Sequence, residues 1–192
     1  MTAHAPPERI ATARVVLRPW RADDAAELQR IVQHDLGHLG RWMPWATAEA
    51  HEDVAQIAAR LQRFADDFAA GRDWAYALEG RDDGALMGAV GLHPRRGPDA
   101  LEIGYWIRAG RSGHGYVTEA VAALVDAAFA TCGIDRIEIR CDPRNLPSAA
   151  IPRRLGFVHV TTLVGDSPEP GLSRDTMVWE VRRPELVVTR DS

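Results

Sequence analysis

The residues with the clearest chemical meaning form a loop, RAGRSGHG at 108–115, between an apolar segment and an Ala-rich segment. Gly113 and Gly115 let the backbone approach a ligand without a Cβ in the way. Where such a loop opens a helix, unpaired N–H groups and the helix dipole attract a phosphate. Arg108 and Arg111 can add charge-assisted hydrogen bonds. The loop therefore predicts an anion site; the alternative is a strand–helix turn that needs glycine only for geometry.

Two better-known phosphate loops do not fit this segment. The dinucleotide fingerprint needs a small residue where Thr118 stands and an acidic residue about 20 positions further on, in the region where Arg136 lies. All 23 Lys+Arg residues are arginine, so the chain has no lysine for a P-loop or a Schiff base. Any bound anion must be held by arginine, backbone N–H groups or helix dipoles.

Several segments together resemble one enzyme family. The segment EIGYWIRAGRSGHGYVTEAV, with NLPSAAIPRRLGF downstream, resembles the GNAT superfamily of N-acetyltransferases. VLRPWRADDAAEL and RWMPW resemble its branch of Rim-type ribosomal-protein N-terminal acetyltransferases. The resemblance covers roughly residues 14–181. It implies acetyl-CoA as co-substrate, no metal, and direct attack of a primary amine on the thioester in a ternary complex. The amine is either a protein N-terminus or a small molecule.

The superfamily holds the CoA pyrophosphate on the backbone amides of a Q/R-x-x-G-x-G/A loop. That pattern aligns here with 110–115, and Gly110 stands at its first position. The resemblance also implies that backbone groups around Ile107 face the pantetheine, where two neighbouring strands splay apart. The implied CoA-binding residues are Ile107, Arg108, Arg111, Gly113, His114, Gly115, Tyr116 and Asn145.

A second superfamily pattern, N-x-x-A-x-x-x-Y-x-x-x-G-F, runs through Asn145, Ser148, Pro152, Gly156 and Phe157. Its tyrosine, which protonates the departing CoA thiolate, is replaced by Pro152. Resemblance to the Rim-like branch therefore assigns Ser148 as hydrogen-bond donor or general acid to the thiolate. The alternative for Ser148 is capping of its own helix, a frequent role of serine.

The candidate general base is Glu102, an acid within the apolar strand LEIGYWI. A carboxylate on a partly buried strand face needs a reason, and the family often places its base on this strand. The alternative is a surface-facing glutamate of an alternating strand. His93, at the end of the neighbouring strand, and His114, in the loop, are the second candidates.

Two tryptophans, Trp42 and Trp45, lie in irregular chain that matches the family segment lining the acceptor pocket. Such residues form an apolar wall with polar handles, or they pack under the long helix at 52–70. Asp35, His38 and Glu49 are close in sequence and could meet a cationic amine.

The hydrophobic pattern predicts one mixed α/β domain over 14–181, with a flexible arm at 1–13 and a tail at 182–192. We expect a central, twisted, mostly antiparallel sheet of about seven strands, splayed at the fourth and fifth and flanked by helices. The predicted strands are 15–17, 74–79, 86–93, 101–107, 134–141, 157–164 and 173–181. The predicted helices are 23–33, 52–70, 116–132 and 147–155.

Composition limits the remaining classes. A formal net charge of −4 gives no basic field for nucleic acid or an anionic membrane. Without a signal peptide or an apolar run of about 18 residues, we expect a cytoplasmic protein whose Cys132 and Cys141 are reduced core thiols. The final strand pair could form a homodimer. A non-catalytic CoA-binding sensor or interaction module is the alternative to an enzyme, because Gly110 and Pro152 depart from the family patterns.

Overall fold

Helices and strands follow one another in the order that the hydrophobic pattern predicts. The computed structural model describes residues 5–165 and 175–183. The strands are β1 (Ile10–Ala11), β2 (Val15–Pro19), β3 (Trp74–Gly80), β4 (Leu86–His93), β5 (Ala100–Ile107), β6 (Arg136–Cys141), β7 (Val158–Leu163) and β8 (Thr176–Arg182). The α-helices are α1 (Ala25–His34), α2 (Leu36–Leu39), α3 (Val54–Ala69), α4 (Tyr116–Thr131) and α5 (Leu146–Arg154).

The eight strands of the described residues form one sheet in the order β1-β2-β3-β4-β5-β6-β8-β7. Every neighbouring pair is antiparallel except β5 and β6, which run parallel. The predicted mixed, mostly antiparallel sheet of a single α/β domain is therefore confirmed. The sheet has one strand more than the predicted set because β1, only two residues long, pairs with β2.

Apolar side chains fill both faces of the sheet. On one face α4, which is rich in alanine and valine, packs Val121 and Leu124 against strand residues such as Ile103 and Ile139. On the other face α1 and α3 cover the sheet through residues such as Ile57. The helix α3 begins at a strong cap, because the Asp53 carboxylate accepts from the backbone N–H groups of two residues in the first turn.

Two short elements lie where the sequence predicts none. β1 falls inside the segment 1–13, which the sequence assigns to an arm; the Tyr76 hydroxyl also donates to the Pro7 carbonyl, 2.7 Å away. α2 is a single turn within the irregular stretch 34–47. Both are too short for sequence periodicity to predict them. Tertiary contacts, rather than local propensity, hold them in place.

Two parts of the predicted organisation are only partly described. Most of the predicted tail, and part of the loop before β8, lie outside the described residues. No helix in residues 5–165 or 175–183 is long and apolar enough to cross a bilayer.

Candidate active site

The parallel strands β5 and β6 separate partway along their length. Their paired residues end at Ile103 and Ile139, so the edge of β5 from Gly104 to Ile107 faces no strand on that side. This is the predicted splay. It leaves backbone N–H and C=O groups that an extended ligand such as pantetheine can pair with.

The loop that follows β5 forms an open cradle of backbone amides. Gly113 and Gly115 have φ angles of +81° and +80°, a left-handed conformation that glycine adopts without strain. Gly115 caps α4, so the N–H groups and the positive dipole end of a 16-residue helix point into the cradle. In the described part of the chain no acceptor pairs with the amides of 113–115. These groups suit a pyrophosphate.

Two arginines, Arg14 and Arg111, lie beside the cradle, and each is paired with a carboxylate. Arg111 donates to Asp83 on the β3–β4 turn, 2.5 Å away. Arg14, to which no sequence motif points, donates from Nη1 to the His114 carbonyl at 2.9 Å and lies over the Tyr116 ring. His114 itself is exposed and stacks on Tyr116, with ring centroids 5.9 Å apart. Hydrogen bonds tie this side of the loop to the start of β2.

The Glu119 carboxylate anchors Arg14. It accepts from the Thr12 hydroxyl at 2.6 Å, the Arg14 amide at 2.8 Å and the Arg14 Nε at 2.6 Å. Burial alone raises the pKa of Glu119, but these hydrogen bonds outweigh burial and leave the pKa below its ordinary value. The carboxylate therefore stays ionised at the positive end of α4, where the helix dipole favours it.

A cavity of about 410 Å³ leads from the cradle along the free edge of β5. Of the predicted CoA-binding residues it is lined by Ile107, Arg111, Gly113, Gly115, Tyr116 and Asn145. Arg108 and His114 lie in the same loop without lining this cavity. The structure thus brings six of the eight residues to one channel.

Two residues near α2 fix the end of β5. Asp35 is buried, and its Oδ2 accepts from the Ala109 N–H at 2.6 Å. His38 donates from Nε2 to the Ile107 carbonyl, 3.2 Å away. These contacts position the loop, whereas the place of both residues in the sequence suggests only that they could meet a cationic amine. Glu49 is exposed and lines neither this cavity nor the next one.

A second, larger cavity of about 910 Å³ lies on the face of β4 and β5 toward α3. Trp42 and Trp45 both line it, and Trp45 meets Trp106 edge to face with ring centroids 5.6 Å apart. The two cavities share the lining residues Trp42, Met43, Tyr105, Trp106, Asn145 and Ser148. They therefore meet at the free edge of β5.

Ser148 lies at this meeting point. The cap of α5 is Asn145, whose side-chain oxygen accepts from the Ser148 N–H at 3.2 Å. The Ser148 hydroxyl donates to the Tyr105 hydroxyl at 3.2 Å, and the Tyr105 hydroxyl donates to the Ser148 carbonyl at 3.0 Å. Burial raises the pKa of Tyr105, more than the Ser148 hydrogen bond lowers it. Tyr105 is therefore a neutral hydrogen-bond donor.

Glu102 also lines the larger cavity. Its carboxylate accepts from Arg96 Nε at 2.6 Å and lies 4.0 Å from Arg140 Nε. Both arginines also approach the buried Glu138 on the neighbouring strand. A carboxylate held in this network must give up an ion pair before it takes a proton.

His93, the second candidate base, has one ring nitrogen, Nε2, that forms no hydrogen bond with the described residues. Its Nδ1 donates to the two carboxylate oxygens of Asp73, at 2.8 and 2.9 Å. Nδ1 therefore carries the proton in the neutral ring, and Nε2 is the acceptor. The ring lies over the backbone of Gly91 and Gly104, a cross-strand pair without side chains. Nε2 lies on the side of the ring that covers these two glycines, which line the larger cavity.

The thiols offer no nucleophile. Cys141 is buried and Cys132 is partly buried, and neither forms a disulfide. Burial raises the pKa of both thiols, which lowers their thiolate fraction. No group of three or more His, Cys, Asp or Glu side chains in the described ranges could hold a metal ion.

Comparisons with known proteins agree with this geometry. A family model described as an acetyltransferase (GNAT) domain matches residues 14–158. The putative ribosomal N-acetyltransferase YdaF of Bacillus subtilis (strain 168) is 28% identical over 148 residues, covering 75% of this chain and 78% of YdaF. Mycobacterium smegmatis RimJ, solved in complex with CoA-disulfide, aligns with a TM-score of 0.78 and 28% identity, over 88% of this chain and 81% of RimJ. The microcin C7 self-immunity acetyltransferase MccE, solved with acetyl-CoA and AMP, shares the fold at a TM-score of 0.81 and 20% identity, over 90% of this chain and 94% of MccE.

Proposed function

We propose, because this chain belongs to the GNAT family of acetyl-CoA-dependent N-acetyltransferases, that it acetylates a primary amine by direct attack in a ternary complex. The observation that carries the proposal is the meeting of two cavities at the free edge of β5. One cavity has the amide cradle suited to the CoA pyrophosphate. The other has aromatic walls and an accessible imidazole, as an amine-binding pocket requires. A protein N-terminus is the first candidate acceptor because YdaF is named as a putative ribosomal N-acetyltransferase; a small-molecule amine is the second.

The chain binds acetyl-CoA through its backbone. The amides of 113–115 and the start of α4 hold the pyrophosphate, with Arg111 and Arg108 at the rim. The edge of β5 near Ile107 pairs with the pantetheine, and Asn145 borders it. This arrangement directs the thioester toward the region shared by the two cavities, where the amine arrives from the other side. Orientation of the two reactants supplies a large part of the rate enhancement in such reactions.

We assign the proton transfer to His93. The amine nitrogen forms a bond to the thioester carbon, and His93 Nε2 takes the proton that the nitrogen loses. Asp73 keeps the imidazole in the tautomer that can accept at Nε2 and stabilises the charged ring. An α-amine titrates near pH 8, so a modest base is enough. Glu102, the base predicted from the sequence, is the competing assignment.

Ser148 is proposed to act on the leaving group. As the carbon–sulfur bond breaks, its hydroxyl turns from Tyr105 to the CoA thiolate and donates a hydrogen bond. Tyr105 keeps its own bond to the Ser148 carbonyl and so holds the first turn of α5 in place. A serine hydroxyl is a weak acid, so stabilisation of the thiolate is its main contribution.

Thiol release from acetyl-CoA tests the proposal. The purified chain is assayed against a panel of amines and N-terminal peptides, and mass spectrometry identifies the acetylated product. We expect turnover with a subset of acceptors. Binding of acetyl-CoA without turnover on any acceptor would favour the non-catalytic CoA-binding alternative.

The pH profile separates the two bases. His93→Gln is expected to lower kcat by about 100-fold or more and to remove the low-pH limb of kcat/KM, and Asp73→Asn to shift that limb. His34→Gln, at the exposed end of α1, is the matched control. If Glu102→Gln removes the limb and His93→Gln retains it, the assignment passes to Glu102.

A cytoplasmic location and a homodimer stay predictions.

A further inference from the structure

We infer that Arg60, held by His51 in the wall of the acceptor cavity, binds a carboxylate of the acceptor. The acceptor is then an amine that also carries an anionic group. This inference rests on the proposed function, since it concerns the cavity assigned to the amine. Arg60 and His51 both line that cavity, and neither takes part in the assigned chemistry.

The hydrogen bonds around His51 fix its tautomer. The imidazole is fully buried, and its Nδ1 lies 3.1 Å from the Thr47 carbonyl, which can only accept. Nδ1 therefore carries the proton, and Nε2 accepts from Arg60 Nη2 at 2.9 Å. Burial lowers the pKa of His51, and the nearby Arg60 charge lowers it further. The ring is neutral near pH 7.

A neutral partner leaves the Arg60 charge uncompensated. Within residues 5–165 and 175–183 no carboxylate oxygen lies within 4.0 Å of its guanidinium, and the one hydrogen bond goes to His51. Two other arginines of the cavity are paired, Arg96 with Glu102 and Arg140 with Glu138. Burial, with the charge of Arg63, lowers the pKa of Arg60. A bound acceptor carboxylate would supply the negative charge that the described residues do not place beside Arg60.

The chemistry of the guanidinium selects the anion. It has five N–H donors in a planar fork that matches a carboxylate in a two-point contact, and His51 engages one nitrogen. Nearby aromatic side chains such as Phe64 and Trp45 line the same cavity. Both of these aromatic side chains are more than a third exposed, so water partly screens an ion pair here, and the two-point geometry rather than burial carries the selection.

A row of aromatic rings links Arg60 to the reaction centre. The His51 ring lies 5.8 Å from Trp45, and Trp45 lies 5.6 Å from Trp106 on β5. Trp106 lines both cavities. An acceptor whose amine reaches the free edge of β5 can therefore lay its body along these rings and place its carboxylate on Arg60.

Matched acceptors test this inference. One pair is a peptide with Glu at its second or third position and the same peptide with Gln; the other is an amino acid and its α-carboxamide. The first pair supplies a side-chain carboxylate and the second an α-carboxylate, so the two arms identify the source. We expect kcat/KM to favour the anionic member of one pair by about 10- to 100-fold, the range for a hydrogen bond to a charged group.

Variants on α3 identify the residue responsible. Arg60→Gln is expected to remove the preference, so that the ratio of kcat/KM between the anionic and the neutral member falls to about one. Arg63→Gln removes the same charge from an exposed position that does not line the cavity, and should keep the preference. Arg60→Lys, which retains the charge without the fork, should keep part of it.

Two results would overturn the inference: equal kcat/KM for both members of both pairs, or an unchanged preference in Arg60→Gln. Either can occur while neutral amines are still acetylated, so the proposed function would stand. Thermal melting checks that each variant is folded. If Arg60→Gln is not folded, the preference of Arg60→Lys decides: a reduced preference supports the inference and an unchanged one contradicts it.

Discussion

The substitution Gly91→Ala should displace the His93 imidazole from its position while leaving the imidazole itself unchanged. A β-carbon built at Gly91 lies 2.8 Å from His93 Nε2, 2.9 Å from His93 Cε1 and 3.3 Å from the Trp74 carbonyl oxygen. Ordinary carbon contacts are about 3.5–4.0 Å, so the ring must move by more than half an ångström. The Nδ1 bonds to Asp73, now 2.8 and 2.9 Å, would lengthen or bend.

The geometry sets the size of the effect. General base catalysis contributes about 10²–10⁴-fold, and a misplacement of about 1 Å can cost about 10²-fold. We therefore expect Gly91→Ala to lower kcat by about 30- to 100-fold, equivalent to about 2–3 kcal/mol of transition-state stabilisation. Overpacking should cost about 1–3 kcal/mol of folding free energy. The KM for acetyl-CoA should stay within about twofold, because Gly91 lines the acceptor cavity and not the CoA channel.

Steady-state kinetics with each substrate varied in turn gives the answer. Gly37→Ala is the control. A β-carbon at Gly37, which lies on α2, meets nothing within 4 Å. Full activity of a folded Gly91→Ala protein would refute the placement of His93 as the base. A selective rise in the KM for acetyl-CoA would show that the methyl group acts through the CoA channel instead.

Three further outcomes follow from the contacts. Ser148→Ala should lower kcat by about 10- to 100-fold with little change in KM for acetyl-CoA, whereas Tyr105→Phe, which keeps the ring, should cost only a few-fold; an equal loss in both would contradict a direct role for Ser148. Asp35→Ala should raise the KM for acetyl-CoA and cost about 1–3 kcal/mol of stability, because it leaves the Ala109 N–H without its partner; isothermal titration with CoA measures the first effect, and Asp35→Asn, which keeps an acceptor oxygen, should show less of both. The pKa of His51 is lowered from 6.5 on folding, so the unfolded chain binds more protons and stability must fall as pH drops below about 6.5, by up to about 1.4 kcal/mol per pH unit; chemical denaturation at pH 7.5 and 5.5 checks this, and an unchanged slope in His51→Gln would count against it.

The family resemblance, the order of the elements and the glycine-rich loop at 108–115 could be read from the sequence alone. These are local properties: the 3.6-residue period of α3, the apolar run of β5 and the glycines at 113 and 115 are each encoded in neighbouring residues. The loop amides need only backbone conformation to form a cradle, so a short motif is enough to predict them.

Which side chains share the site depends on the packing of distant elements. Asp73 and His93 are 20 residues apart, and Tyr105 and Ser148 are 43 apart, so no spacing could pair them before the strands took their register. Glu102 is the only acid of the apolar strand β5, but Arg140 approaches its carboxylate only once β5 and β6 lie side by side, and the loop before β5 must fold back to bring Arg96 to it. Arg60 differs from Arg63 only in the face of α3 that it occupies against His51. Hydrophobic patterning specifies which residues are buried; the identity of a buried residue's neighbours depends on how distant elements pack.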